Sequence, residues 1–510
     1  MIRSFLTVST GTLASRLLGF ARDSLIAALL GTGAVADAFL AAFQLVNVVR
    51  RLLSEGALNA ALIPAWLRVR ERDGEQAASA FAGRVLGTVS ASLIVISIGI
   101  ALLMPLIIMI IAPGFVGSGT LDLSVQNARL MLPYLAFAGP VTVLMGLLNA
   151  QGKFALTAFS PLLFNIALIA VIAALLLWHA DAARSAWMLA ATVGIAGLLQ
   201  LVMLGSQRSA RLARPLRASF DQEMRGFFAK AIPGMIASSG PQWLMVAGAI
   251  TASAIPSAVS WLYFANRLIE LPLGIVGVAM GTVLVPELTR AIGSSDRDAM
   301  AHAESRALEL ASGLALPATL GLAVLAEPIV RLLFEHGAFG IEDSAATAHA
   351  LMWLALGLPA HVLIKALSPA FFARGDTMTP LLATAKGLVV AIALAVLLGH
   401  FFGASGIAAS IAAGAWSSAA SLLRKGTSEF GFSLDATARK RLPRIVLAAA
   451  AMGALLWLTR DLMPSEAHGL VRFLVLGLQI AAGIAVYGLL LQILGAASWR
   501  EAAAALRRAA

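Results

Sequence analysis

The chain has 510 residues, of which 60% are hydrophobic and 12% charged, about half the charged share of a soluble domain. Such a composition excludes both an ordinary soluble enzyme, whose surface it could not cover, and a disordered chain. The formal net charge of +11 and the sequence pI near 10.9 raise nucleic-acid binding, and the lack of cysteine excludes disulfides, zinc thiolates and a cysteine nucleophile.

A helix needs roughly 20 mainly apolar residues to cross a bilayer. About fourteen such runs occur, at 5–30, 34–66, 78–105, 123–150, 155–178, 185–205, 225–253, 257–286, 304–327, 346–373, 379–401, 405–423, 443–461 and 470–494. They predict an all-α polytopic membrane protein. Alternating strands with aromatic girdles are missing, which argues against a β-barrel. The first run is not a cleavable signal, because Arg16, Arg22 and Asp23 interrupt it.

The basic residues set an orientation. With the N-terminus in the cytoplasm, the inner loops hold Arg68, Arg70 and Arg72, then Arg208, Arg211, Arg214 and Arg217, then Arg424, Lys425, Arg439, Lys440 and Arg441, then Arg500, Arg507 and Arg508. The outer loops hold little beyond Arg184 and Arg331. This asymmetry predicts two cytoplasmic termini. The same runs are split among short loops and lack aromatics for base stacking, so no nucleic-acid partner is expected. The longest outer loops, 106–122 and 328–345, leave no room for an external catalytic domain. No GxxxxGK[ST] loop occurs, so no ATPase is expected. The seven histidines lack metal-ligand spacing, and no metal or cofactor is expected. Trp178, Trp187, Trp457 and Trp499 read as interfacial anchors.

Two pieces recur at a nearly constant offset. GALNAALIP, ending at Pro64, resembles GTVLVP, ending at Pro286, 222 positions on. Ala150-Gln151-Gly152-Lys153 resembles Ala373-Arg374-Gly375-Asp376, with glycines 223 apart. The offset spans six runs, which predicts two parallel, pseudo-symmetric six-helix lobes at 1–220 and 221–430. Two C-terminal helices, in 431–510, lie outside the repeat.

A charge at the bilayer centre costs about 2.5–3.5 kcal/mol, yet the first two runs are crowded with charges. The first carries Arg16, Arg22 and Asp23; the second carries Asp37, Gln44, Asn47, Arg50, Arg51, Glu55 and Asn59. At about 100° per residue, Asp37, Gln44, Arg51, Glu55 and Asn59 form one polar stripe, with a rise of roughly 33 Å. Arg16 and Asp23 share a face and suit an ion pair. In the eighth run, Glu270 lies one turn from Arg267, close enough to pair. Lys365 and Lys386 are further intramembrane candidates. Pairing alone leaves an excess of arginine: Arg16, Arg22, Arg50, Arg51 and Arg267 against Asp23, Asp37, Glu55 and Glu270. A polar cavity for an anionic substrate accounts for that excess, since a guanidinium suits a diphosphate.

SRLLGFARDSLIAALLGTGAVADAFLAAFQLVNVVRRLLSEGALNAALIP resembles the MurJ/MviN family of lipid II flippases, as do YFANRLIELPLGIVGVAMGTVLVPEL, the APGF at 112–115 and the segment around Arg374. The resemblance covers essentially the whole chain. It implies the multidrug/oligosaccharidyl-lipid/polysaccharide exporter fold, with runs 1, 2, 7 and 8 around a cationic cavity. It implies a groove for the lipid tail at the last two runs. The family's functional arginines match Arg16, Arg22, Arg50 and Arg267, and its acidic positions match Asp37, Glu55 and Glu270. Asn266 stands where relatives often carry aspartate, Gln44 replaces a basic residue of some relatives, and no carboxylate set for sodium is matched.

The expected activity is flipping of lipid II, the undecaprenyl-diphosphate-linked disaccharide pentapeptide, across the bacterial inner membrane by alternating access. Expected substrate-binding residues are Arg16, Arg22, Arg50, Arg51 and Arg267; expected gating residues are Asp23, Asp37, Glu55, Asn59 and Glu270. The implied partners are lipid II, membrane lipids and the peptidoglycan synthesis machinery. Rival readings are a flippase for another polyprenyl-diphosphate oligosaccharide, a drug exporter of the same fold, and a membrane glycosyltransferase. The last lacks a recognisable external carboxylate arrangement at Asp122, Glu335 or Asp343.

Overall fold

The computed structural model describes residues 2–54, 57–206, 213–238, 240–279, 297–372, 374, 376–430, 434–460 and 469–496. Helix is the regular structure among them, as a bilayer requires of a chain that must satisfy its own backbone amides. In order, α1 spans Ile2–Leu30, α2 Ala34–Ser54, α3 Ala57–Ile111, α4 Gly119–Met131, α5 Pro133–Ala150, α6 Phe154–Leu177 and α7 Ala182–Gly205. Then come α8 (Gln222–Ser238), α9 (Gly240–Ala252), α10 (Ala258–Ala279), α11 (Arg297–Val324) and α12 (Ala326–Phe334). The last are α13 (Ile341–Phe372), α14 (Met378–Phe430), α15 (Ala436–Thr459) and α16 (Leu470–Ile493). Among the described residues, nine spans are long and apolar enough to cross a membrane. The stretches in α1, α2 and α10 are not among the nine, because their charged and polar residues dilute the apolar run.

Two helices are too long to cross once. A straight helix of the length of α14 would reach about 80 Å, against a hydrocarbon core of roughly 30 Å. Both α3 and α14 break at a glycine with positive φ, Gly74 (φ 86°) and Gly403 (φ 57°). The predicted runs 379–401 and 405–423 are the two limbs of α14. A Cβ on Gly414 would lie 2.6 Å from the Gly387 carbonyl oxygen, so the limbs meet backbone to backbone.

The chain gathers into two compact units. Unit 1 is Met1–Gln242 with Ser253–Ser260 and Gly337–Phe339; unit 2 is Trp243–Ala252, Trp261–His336 and Gly340–Ala510. Within unit 1 the stretch 119–150 is the most enclosed, with 72% of its apolar window buried. Within unit 2, α16 is only 17% buried over its window and turns most of its apolar surface outward.

The two longest loops expected on the outer side, 106–122 and 328–345, are shorter than the sequence suggests. Helix continues to Ile111, a 3-10 turn occupies Pro113–Phe115, and helix restarts at Gly119. The 328–345 stretch contains most of α12, whose Ala326, Ile329, Val330 and Phe334 are buried. Their i, i+3, i+4, i+8 spacing is a helical signal.

Candidate functional site

Unit 1 carries a buried polar cluster near the chain's start. Arg22 on α1 is 6% exposed and Asp23 fully buried. The Arg22 guanidinium donates from Nε (2.9 Å) and Nη2 (2.6 Å) to Asp23 Oδ1, and from Nη1 to Asn165 Oδ1 on α6 at 3.0 Å. Asn165 in turn donates to the Ser15 carbonyl at 3.1 Å. The Phe43 and Phe164 rings lie 5.1 and 5.7 Å from the guanidinium carbon. One cation thus holds α1, α2 and α6 together. The expected Arg16–Asp23 pair is not formed, because the adjacent Arg22 reaches the carboxylate. Arg16 is half-buried and makes no hydrogen bond or ion pair among the described residues.

The polar face of α2 divides by depth. Asp37 in its first turn is 3% exposed, while Gln44, Asn47, Arg50 and Arg51 are half-buried. Arg50 Nε donates to Asn47 Oδ1 at 3.2 Å. Arg51, in the last turn, sits where the helix dipole favours a cation. Asp37, Gln44 and Arg51 of the expected stripe lie on α2, and Glu55 lies outside the described residues. Asn59 belongs to α3, where its Oδ1 is buried beside Gly146 with no hydrogen-bond partner among the described residues.

Asp37 does not meet an arginine. It accepts from the Ser257 amide (2.9 Å) and from the Ser260 amide (2.9 Å) and hydroxyl (2.5 Å). A carboxylate on the free amides of a helix start is favoured by dipole and hydrogen bonding together. Ser257 adopts a left-handed conformation, φ 64°, which costs a non-glycine residue about 1–3 kcal/mol and is offset here by the Asp37 bond. Nearby in unit 1, Gly114 N donates to Ser253 Oγ at 3.0 Å, and Ala338 N to the Ala28 carbonyl at 2.8 Å. Gly31 and Gly337, both with positive φ, have no room for a Cβ: each would overlap the carbonyl of Ala338 or Ala28. The turns at 31–33, 113–118, 253–257 and 337–339 therefore close one end of unit 1.

In unit 2, Arg267 Nη1 donates to Glu270 Oε2 at 2.7 Å, and Asn266 donates to Glu270 Oε1 at 3.4 Å. Both charged side chains of this expected pair are 20% exposed, so they keep access to an occupant. Lys365 is half-buried one turn from the buried His361, and Lys386 is exposed. Sequence reasoning missed three positions. Asn165 gives no signal in a long apolar run. The Ser257–Ser260 helix start follows Pro256, which is a legible cue. From the sequence Asp343 is only an acid in a short loop. It accepts from the Trp261 indole at 3.2 Å and from the Gly340 amide at 2.9 Å.

The family described as lipid II flippase MurJ matches residues 26–478. A probable lipid II flippase MurJ of Rhizobium tropici is 37% identical, covering 97% of this chain and 94% of its own length. That of Rhizobium meliloti is 38% identical over 96% and 92%. The solved lipid II flippase MurJ in an inward closed conformation is similar at a TM-score of 0.77 and 23% identity, covering 96% of this chain and 98% of that one. An inward-facing multidrug resistance MATE family transporter of the MOP superfamily reaches 0.67 at 16% identity, over 87% and 98%. These two structural likenesses bear on the fold.

Proposed function

The chain belongs to the lipid II flippase MurJ family, and from that premise we propose that it moves lipid II from the cytoplasmic to the periplasmic leaflet by alternating access. It is a multi-pass inner-membrane protein of a transporter family. The observation that supports the mechanism is that each unit holds half-buried arginine on an expected membrane helix, Arg16, Arg50 and Arg51 in unit 1 and Arg267 in unit 2. Each intramembrane charge is costly, and a diphosphate offsets that cost because its paired oxygens match the two-pronged guanidinium donor. Glu270 holds Arg267 while the substrate is absent, and the diphosphate takes its place. Arg22, enclosed by Asp23, Asn165 and two rings, acts as a positioning residue rather than a contact.

The basic loops face the cytoplasm. The end closed by Asp37, Ser257 and Ser260 then faces the periplasm, and release of the Asp37 cap opens it. Asp23, Glu55 and Asn59 are kept as gating positions, Asn59 for its unpartnered buried oxygen. The polyprenyl tail stays in lipid against the outward apolar surfaces of α15 and α16. The domain division at 1–220, 221–430 and 431–510 follows from the repeat. No nucleotide hydrolysis is required. The membrane potential is a sufficient drive, worth about 2.3 kcal/mol per elementary charge per 100 mV.

The test is Arg267→Ala in vesicles loaded with lipid II. We expect flipping to fall by at least about tenfold, the loss of roughly 1.4 kcal/mol, with membrane insertion unchanged. Flipping at the parental rate overturns the assignment of Arg267.

A further inference from the structure

The segments that close one end of unit 1 come from two distant parts of the sequence, and each is continuous with a residue bound to the same carboxylate. Segment 253–260 is held by Asp37 at Ser257 and Ser260 and leads directly into Trp261. Segment 337–339 is held by the Ala338–Ala28 backbone bond and leads directly into Gly340. Asp343 takes the Trp261 indole N–H on one oxygen and the Gly340 amide on the other. One turn along α10, the fully buried Phe264 packs on Phe334 at 5.2 Å between ring centroids, joining the bases of the same two segments. The Asp37 cap alone needs none of this. Nor does the start of α13, since the Gly340 bond would serve it without Trp261.

We propose that Asp343 is a positioning residue that couples the two segments, so that 253–260 and 337–339 dock and release together. The physical basis is that a bond shared by two elements makes the opening of either one cost part of the other's contacts. Two weak closures become one cooperative closure. The proposal rests on the transport reading above for its biological role, because coupled release is what a gate for a large headgroup needs.

The chain has no native cysteine, so single reporters need no background substitution. Ala258→Cys (0% exposed) and Phe339→Cys (2% exposed) report on the two segments. Right-side-out membrane vesicles are labelled with a maleimide too polar to cross the bilayer, with no lipid II present. Releasing the first segment with Asp37→Asn should raise labelling of Ala258→Cys, and also of Phe339→Cys by roughly fivefold, the worth of about one hydrogen bond. In an Asp343→Ala background, Asp37→Asn should still expose Ala258→Cys but no longer change Phe339→Cys. Trp261→Phe, which keeps an aromatic ring and loses only the indole N–H, should uncouple the reporters in the same way and serves if Asp343→Ala fails to insert.

If Asp37→Asn exposes only the Ala258→Cys reporter, or neither, coupling is refuted. If both reporters still respond in the Asp343→Ala and Trp261→Phe backgrounds, Asp343 is not the tie. Because the readout needs no substrate, either failure leaves the lipid II reading standing, and that reading fails separately in the flipping assay.

Discussion

Arg22 meets Asp23, Asn165, Phe43 and Phe164 at once, leaving little of its surface for a substrate. Removing one partner of such a buried pair strands the other charge, at a cost of about 3–5 kcal/mol. Arg22→Leu should therefore lower unfolding stability in detergent by that order, and adding Asp23→Asn should restore part of it. A melting curve like the parent's would contradict the clamp. The sequence placed Arg22 among charges sharing an apolar environment, and that much was legible from composition and cost. Which charge pairs with which was not. Arg16 and Asp23 share a helix face at seven residues' spacing, but Arg22 curls onto its neighbour's carboxylate, a rotamer choice that periodicity does not encode. Arg267–Glu270 was legible because an i, i+3 pair is fixed by helix geometry alone. The partner of Asp37 was not, since it is the backbone of a segment 220 residues away.

At the scale of elements, apolar runs identified the membrane segments well because burial in lipid demands them. The bends were hidden: 45 glycines are available, and only the structure singles out Gly74 and Gly403 as helix breaks. The loop after α7 was legible only as basic, yet its described part lies along α3 as an extended strap. Ser79 Oγ donates to the Arg214 carbonyl at 3.0 Å, and the Thr88 hydroxyl donates to the Ser219 carbonyl and accepts from its amide, both at 3.0 Å. Arg84 pairs with Asp221 at 2.9 Å and Glu223 at 2.6 Å. The strap can approach because Gly83 and Gly87 have no Cβ to block it. Gly87→Leu should lift it and speed protease cleavage within 213–221 by about tenfold; unchanged cleavage would refute the docking.

The strap also has a pH dependence. The Asp221 carboxyl lies below its ordinary value of 3.8, chiefly because the Met224 amide donates to it, with help from Ser219 and Arg84. A depressed carboxyl contributes stability at neutral pH that is lost as pH falls through that range. Cleavage should therefore accelerate below about pH 4 in the parent, and the acceleration should be smaller in Asp221→Asn. An equal acid response in both would assign the effect elsewhere.

For the whole molecule, the lack of polar surface that excluded a soluble protein is also what gives a few cations meaning. Most of the basic residues fall between the apolar runs of the sequence, where they cost little. Among the rest, Arg16, Arg22, Arg50, Arg51 and Arg267 sit on α1, α2 and α10, and membership of the lipid II flippase MurJ family supplies an occupant of matching charge. Family resemblance was legible in the sequence because these same charged stretches carry it. The most direct test of the central claim is depletion of the protein in cells with no second flippase, followed by measurement of lipid II on each face of the inner membrane. Accumulation of lipid II on the cytoplasmic face, with its periplasmic appearance stopped, is the predicted result; continued externalisation of lipid II would contradict the account.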